Sequence, residues 1–121
     1  MSKILVVDDD DGIREVLRLF LTEEGFIVQT ARDGGEAIEI LQRESGWLIL
    51  LDLMMLGLDG RAVITYLRAN PNLLTDNKVI LMSATARGDR DYRTLLAHAS
   101  AELPKPFDLE QVLSLVHCLA A

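Results

Sequence analysis

Acidic residues dominate the positions that could do chemistry. Four aspartates stand in a row, Asp8 to Asp11, directly after the apolar run from Ile4 to Val7. Another aspartate, Asp52, ends the apolar run from Trp47 to Leu51. Ser83 follows the apolar stretch from Val79 to Met82, and Lys105 stands between Pro104 and Pro106. Carboxylates about 4 Å apart repel by about 1 kcal/mol in water and about 4 kcal/mol at an effective dielectric near 20. Such a group needs raised pKa values or a cation. Oxygen ligands with room for water suit Mg²⁺ or Mn²⁺ rather than zinc. With a hydroxyl and an ammonium added, the set makes a pocket for a phosphoryl group. Asp52 would be the nucleophile, while the metal and Lys105 neutralise charge on the equatorial oxygens.

Each residue also has a plainer reading. Asp10 and Asp11 read as helix-capping and solvated residues, and Asp8 or Asp9 alone could cap as well. A serine after a strand is commonly a turn residue, and a lysine between prolines is commonly on the surface. The chemical reading requires that the intervening chain bring all of them to one place.

Apolar runs and helical stretches alternate from end to end, which supplies that requirement. Ile4 to Val7 predicts a first strand. Ile13, Val16, Leu17, Phe20 and Leu21 then recur on one helical face, closed by Gly25. Phe26 to Ala31 reads as a second strand. Asp33, with Glu36 three residues on, caps a helix through Ala37, Ile38 and Leu41. Trp47 to Leu51 is continuously apolar, as in a strand buried on both faces. A loop with Gly57 and Gly60 leads to a helix near Arg61 to Ala69, which Asn70-Pro71-Asn72 stops. Val79 to Met82 predicts a fourth strand, Asp89 to His98 a helix, and Ala101 to Leu103 a short fifth strand. Asp108, with Gln111 three on, caps a last helix whose face is Leu109, Val112, Leu113 and Val116.

Five βα units imply an α/β fold: a doubly wound five-stranded parallel sheet, with order 2-1-3-4-5 expected. Its ligand crevice lies where the order reverses, at the carboxyl ends of strands 1 and 3. Asp8, Asp9 and Asp52 all fall there, and Ser83 and Lys105 follow strands on the same rim.

Bulk properties exclude several alternatives. The 121 residues make one domain's worth of chain, residues 1–121, and the half that is hydrophobic is enough for a single core. A net charge of −7 disfavours direct binding to nucleic acid or an anionic membrane surface. No apolar run approaches the roughly 20 residues of a membrane helix, and the start does not read as a signal peptide. One cysteine, Cys118, excludes an internal disulfide and fits a reducing, cytoplasmic setting, with the residue filling a helix face. His98 and His117 fall on predicted helices away from the rim and read as helix-surface residues.

Four stretches carry a family resemblance: Lys3-Ile-Leu-Val-Val-Asp-Asp-Asp10, Leu50-Leu-Asp-Leu-Met-Met-Leu-Gly-Leu-Asp-Gly60, Val79-Ile-Leu-Met-Ser-Ala84 and Leu103-Pro-Lys-Pro-Phe107. In order and spacing the chain resembles a response regulator receiver domain of two-component phosphorelay signalling, of the chemotaxis-regulator type with a flavodoxin-like (βα)5 fold. The likeness covers essentially the whole chain. It implies that Asp52 is the phosphoacceptor and Asp9 the direct ligand of Mg²⁺, with Asp8 assisting mainly through water. Met54 would give its backbone carbonyl to the metal. Ser83 would bond a phosphoryl oxygen and move on activation, and Lys105 would pair with the phosphoryl group beside a cis Lys105-Pro106 bond. The implied partners are a histidine kinase or phosphotransfer protein and a downstream effector domain or protein. The last predicted helix runs to the end of the sequence, so a stand-alone receiver and a domain of a longer protein both fit.

Three positions depart from the family pattern. Leu56 stands where proline is usual. Trp47 replaces a small or acidic residue and is expected to pack; on the strand leading to Asp52, its fluorescence is expected to report metal binding. Glu102 stands where an aromatic is usual, and burying a glutamate costs too much without a cation partner. Glu102 is therefore expected to stay at the surface before and after activation, leaving the response to Ser83 and the loop from Ala84 to Asp89. Two other classes fit less well. An aspartyl phosphatase or mutase needs a second acid two residues after the nucleophile, where Met54 stands. A flavodoxin-like cofactor binder would carry Ser, Thr and Gly in its first loop, not four aspartates. A degenerate receiver serving only as a phosphorylation-independent interaction module remains the alternative.

Overall fold

The computed structural model describes residues 2–53, 60–83 and 90–120. Its elements are β1 (Lys3–Val7), α1 (Asp11–Glu23), β2 (Ile27–Ala31), α2 (Gly34–Arg43), β3 (Trp47–Asp52), α3 (Gly60–Ala69), α4 (Pro71–Asp76), β4 (Lys78–Ser83), α5 (Arg90–Leu96), β5 (Ala101–Pro104) and α6 (Leu109–Ala120). The strands form one parallel sheet in the order β2-β1-β3-β4-β5, as expected.

Alternation along the strands divides the core into two layers. Leu5, Val7, Ile49, Leu51, Val79 and Leu81 face a layer closed by α2, α3 and Leu95 of α5. Ile4, Val6, Leu48, Leu50, Ile80 and Met82 face the layer closed by α1 and α6, through Leu17, Leu21, Val112 and Val116. All six residues of β3 are buried, which explains its unbroken apolar run. Helix ends follow the local signals. The Asp33 side chain accepts from the Glu36 N–H at 2.9 Å, and Asp108 and Gln111 cap each other reciprocally at 2.8 and 2.9 Å. Gly25 takes a φ of +96° where α1 turns into β2, a conformation that favours glycine.

Two local expectations need correction. Asn70-Pro71 does stop α3, but the chain re-enters a short helix at once, with Pro71 in its first turn. Proline is suited to that position because the missing N–H would have no helical acceptor there. His98 lies past the end of α5 rather than within it, whereas His117 is on α6 and exposed, its ring 5.8 Å from that of Phe26.

Asn77, which the sequence did not single out, joins α4 to the start of β3. It is 2% exposed; its Oδ1 accepts from the Trp47 N–H at 2.8 Å and its Nδ2 donates to the Leu73 carbonyl at 2.8 Å. Removing the amide strands a buried N–H, at a cost of about 2 kcal/mol. Asn77→Ala is accordingly expected to lower unfolding free energy by that amount in urea titrations monitored by circular dichroism. A change below about 0.5 kcal/mol, the range of ordinary surface substitutions, would show the bridge to be replaceable by water.

Candidate functional site

Sheet register brings the acids together. Val7 of β1 lies opposite Leu51 of β3, so Asp8, just past β1, and Asp52, at the last position of β3, stand side by side. Both are buried, at 0% and 4% exposure, while Asp9 is exposed. One carboxylate oxygen from each of Asp8, Asp9 and Asp52 lies within 4.8 Å of the other two. The spacing is short enough for one cation to bridge all three, and hard oxygen donors suit Mg²⁺ or Mn²⁺.

Asp8 is held at every polar atom. Its N–H donates to the Ala31 carbonyl at 3.2 Å, and its Oδ1 accepts from the Asp10 N–H at 2.9 Å. Its Oδ2 takes the Lys105 ammonium at 2.9 Å, and its carbonyl accepts from Arg14 at 2.8 Å. Lys105 also reaches Asp52 Oδ2 at 3.4 Å, bridging the two buried carboxylates. Burial opposes the Lys105 charge. The hydrogen bond to Asp8 and the attraction of Asp52 and Asp8 outweigh it, holding the ammonium above the ordinary lysine pKa. Three carboxylates against this one ammonium leave a formal excess of two negative charges, a charge set matched by a divalent cation.

The other aspartates of the run do different work. Asp10 is the N-cap of α1, its side chain accepting from the Ile13 N–H at 3.0 Å. Asp11 starts the helix with its side chain in solvent and pairs with Arg14; a negative charge there complements the helix dipole.

Of the remaining sequence-level candidates, Ser83 ends β4 opposite Pro104, one residue beyond the partner of Asp52. Met54, Leu56 and the segment 84–89 lie outside the described residues. The Lys105-Pro106 bond is cis. Glu102 is partly exposed on β5, opposite Leu81. Cys118 is exposed on α6.

Trp47 packs as expected: it is 1% exposed, its indole N–H donates to the Glu44 carbonyl at 3.1 Å, and Lys3 sits 4.6 Å over its ring. It is a poor reporter of the site, however. Trp47 begins β3 and Asp52 ends it, which at about 3.3 Å per residue separates them by about 17 Å.

Gly60, which read as no more than a loop glycine, opens α3 directly against the end of β3. A Cβ there would lie 2.6 Å from the Asp52 carbonyl oxygen and 2.9 Å from Leu53 Cα. Only a residue without a side chain lets α3 pack this close to the candidate nucleophile's backbone.

Comparison with known proteins agrees with this geometry. A family model for the response regulator receiver domain matches residues 4–117. Over 119 residues the chain is 39% identical to response regulator MprA of Mycobacterium leprae (strain TN), covering 97% of this chain and 50% of that protein. The chain thus spans about half the length of the curated relatives it matches. A CheY-like receiver domain protein from Methanospirillum hungatei JF-1 superposes with a TM-score of 0.86 at 27% identity, covering 97% of this chain and 92% of that one. Response regulator protein TrrA from Thermotoga maritima, solved in complex with Mg²⁺-BeF, superposes with a TM-score of 0.82 at 33% identity, covering 98% and 99%.

Proposed function

Because the chain belongs to the response regulator receiver domain family of two-component systems, we propose that it accepts a phosphoryl group on Asp52 in a reaction that needs Mg²⁺ or Mn²⁺. The observation that carries this reading is the meeting of the Asp8, Asp9 and Asp52 carboxylates with Lys105 bridging two of them. On this reading residues 1–121 form one phosphoacceptor domain.

Asp8, Asp9 and Asp52 would hold the cation, joined by the backbone carbonyl of Met54. When bound, it offsets the repulsion between the acids and the charge of an incoming phosphoryl group. An Asp52 carboxylate oxygen attacks phosphorus, forming the acyl phosphate as the P–N bond of a donor phosphohistidine breaks and the imidazole leaves with the electron pair. Charge leaves the Asp52 carboxylate for the phosphoryl oxygens, so Lys105 retains an anion within reach. The Ser83 hydroxyl would bond another phosphoryl oxygen and carry the change to residues 84–89. Glu102 would stay at the surface through that change, sparing the desolvation cost of burying its charge.

The donor would be a histidine kinase or phosphotransfer protein, and the receiver of the signal an effector domain or partner protein in the cytoplasm. Receiver domains are generally not enzymes, and the chemistry here is confined to the chain's own phosphorylation and slow hydrolysis of its aspartyl phosphate. Among the described residues no helix is long and apolar enough to cross a membrane.

Intact-mass measurement on the parent and Asp52→Asn tests the covalent step. The metal ligands are tested separately by calorimetric titration of Mg²⁺, which does not depend on the distant Trp47. Asp9→Asn is expected to weaken binding by at least about tenfold, since an anionic oxygen donor is replaced by a neutral one. Asp10→Ala and Asp11→Ala should change it by less than about threefold, because one caps α1 and the other faces solvent. Greater damage from Asp10→Ala or Asp11→Ala than from Asp9→Asn would overturn the ligand assignment.

A further inference from the structure

Arg14 is placed with more constraint than a solvent-facing helix arginine requires. Its side chain is 14% exposed although it lies beside a row of acids. One guanidinium nitrogen donates to the Asp8 carbonyl at 2.8 Å, and another pairs with the Asp11 carboxylate. The Asp8 carbonyl belongs to the same rigid peptide plane as the Asp9 nitrogen. Fixing that oxygen therefore fixes the N–Cα bond about which the Asp9 side chain is set. Ala31, Asp10 and Lys105 hold the N–H and carboxylate of Asp8, and Arg14 holds its carbonyl.

Resting on the metal-binding reading above, we propose that Arg14 is a positioning residue for the metal site. It sets the Asp8–Asp9 peptide so that the exposed Asp9 carboxylate turns toward Asp8 and Asp52. The planar fork suits this task because it holds a carbonyl and a carboxylate at once and keeps its charge at any accessible pH.

Electrostatics and orientation predict opposite signs, which makes the proposal testable. Deleting a positive charge beside three carboxylates would by itself tighten cation binding; losing the orientation of Asp9 would weaken it. Arg14→Met and Arg14→Gln are titrated with Mg²⁺ by calorimetry, in the unphosphorylated chain and at a temperature where circular dichroism shows them folded. Both are expected to raise Kd about tenfold, the lower end of what loss of a ligand-orienting contact costs. Asp11→Asn should stay within about twofold of the parent, because the grip on the Asp8 carbonyl persists. Unchanged or tighter binding in either folded Arg14 variant would overturn the proposal. So would an Asp11→Asn protein as impaired as Arg14→Met, which would assign the effect to the surface ion pair. Should Asp9→Asn in the same series leave Mg²⁺ affinity unchanged, the metal reading itself has failed, which is a different result.

Discussion

Asp52→Asn is expected to abolish phosphorylation while leaving the fold at least as stable as the parent. Treated with acetyl phosphate and Mg²⁺, the parent should gain one phosphoryl mass, lost when EDTA is in excess. The asparagine variant should gain none, because an amide of the same shape is neither charged nor nucleophilic. Stability separates this loss from a folding defect. Asp52 is 4% exposed and shares its site with the Asp8 and Asp9 carboxylates, so without a cation its charge is opposed by like charges. A repulsion of up to about 4 kcal/mol per pair at an effective dielectric near 20 is partly offset by Lys105, whose closer partner is Asp8. Neutralising Asp52 relieves the repulsion and leaves the shorter ion pair in place. In metal-free urea titrations the variant's midpoint should therefore equal or exceed the parent's. Full labelling of Asp52→Asn would remove the residue from the mechanism. A parent that takes no label with Mg²⁺ present would leave the chain as a phosphorylation-independent interaction module.

The second large effect is expected at Gly60. Replacing a helical glycine with alanine ordinarily stabilises by about 0.5–1 kcal/mol, since the glycine loses more chain entropy on folding. Here the added methyl would stand 2.6 Å from the Asp52 carbonyl oxygen, 2.9 Å from Leu53 Cα and 3.3 Å from the Asp52 carbonyl carbon. All three are backbone atoms, so relief requires α3 or the end of β3 to move. Overpacking of this kind costs about 1–3 kcal/mol, which outweighs the propensity gain. The displaced strand end carries Asp52, the proposed phosphoacceptor, and a shift of about 1 Å at a reacting centre can cost about a hundredfold in rate. Gly60→Ala is expected to lose about 2 kcal/mol in urea titration and to accept phosphate from acetyl phosphate at least about tenfold more slowly. Gly25→Ala is the control. Its Cβ meets nothing within 4 Å, but its φ of +96° is strained for alanine, so stability falls by about 1–2 kcal/mol with no change in labelling rate. Equal rates in parent and Gly60→Ala would show that the contact with β3 does not position Asp52.

Local pattern was enough for the architecture. The alternation of apolar runs with helical faces, the fully apolar β3 and the Asp33 and Asp108 caps are encoded within windows of a few residues, where periodicity and capping act. The βα alternation implied a parallel sheet, and 2-1-3-4-5 was the order expected of a doubly wound sheet of this size. The observed order matches it and places Asp8, Asp9, Asp52 and Lys105 on one rim. The division of the aspartate run was legible too, since capping needs are local: Asp10 caps and Asp11 faces solvent.

What the sequence left open depends on contacts between residues far apart in the chain or on the height at which one element meets another. Asn77 gives no local sign that it will satisfy the N–H of Trp47, thirty residues away. Gly60 looks like any loop glycine until α3 is packed against the Asp52 carbonyl. Arg14 carries no sequence signal for a role at the site, and only the placement of α1 turns its fork onto the Asp8 carbonyl. Residue types and spacing thus placed each candidate group at a strand's carboxyl end, because secondary structure is a short-range constraint, and the usual order of such sheets brings those ends together. Their orientation, burial and supporting contacts were decided by tertiary packing, where shifts of an ångström separate a hydrogen bond from a gap or a clash.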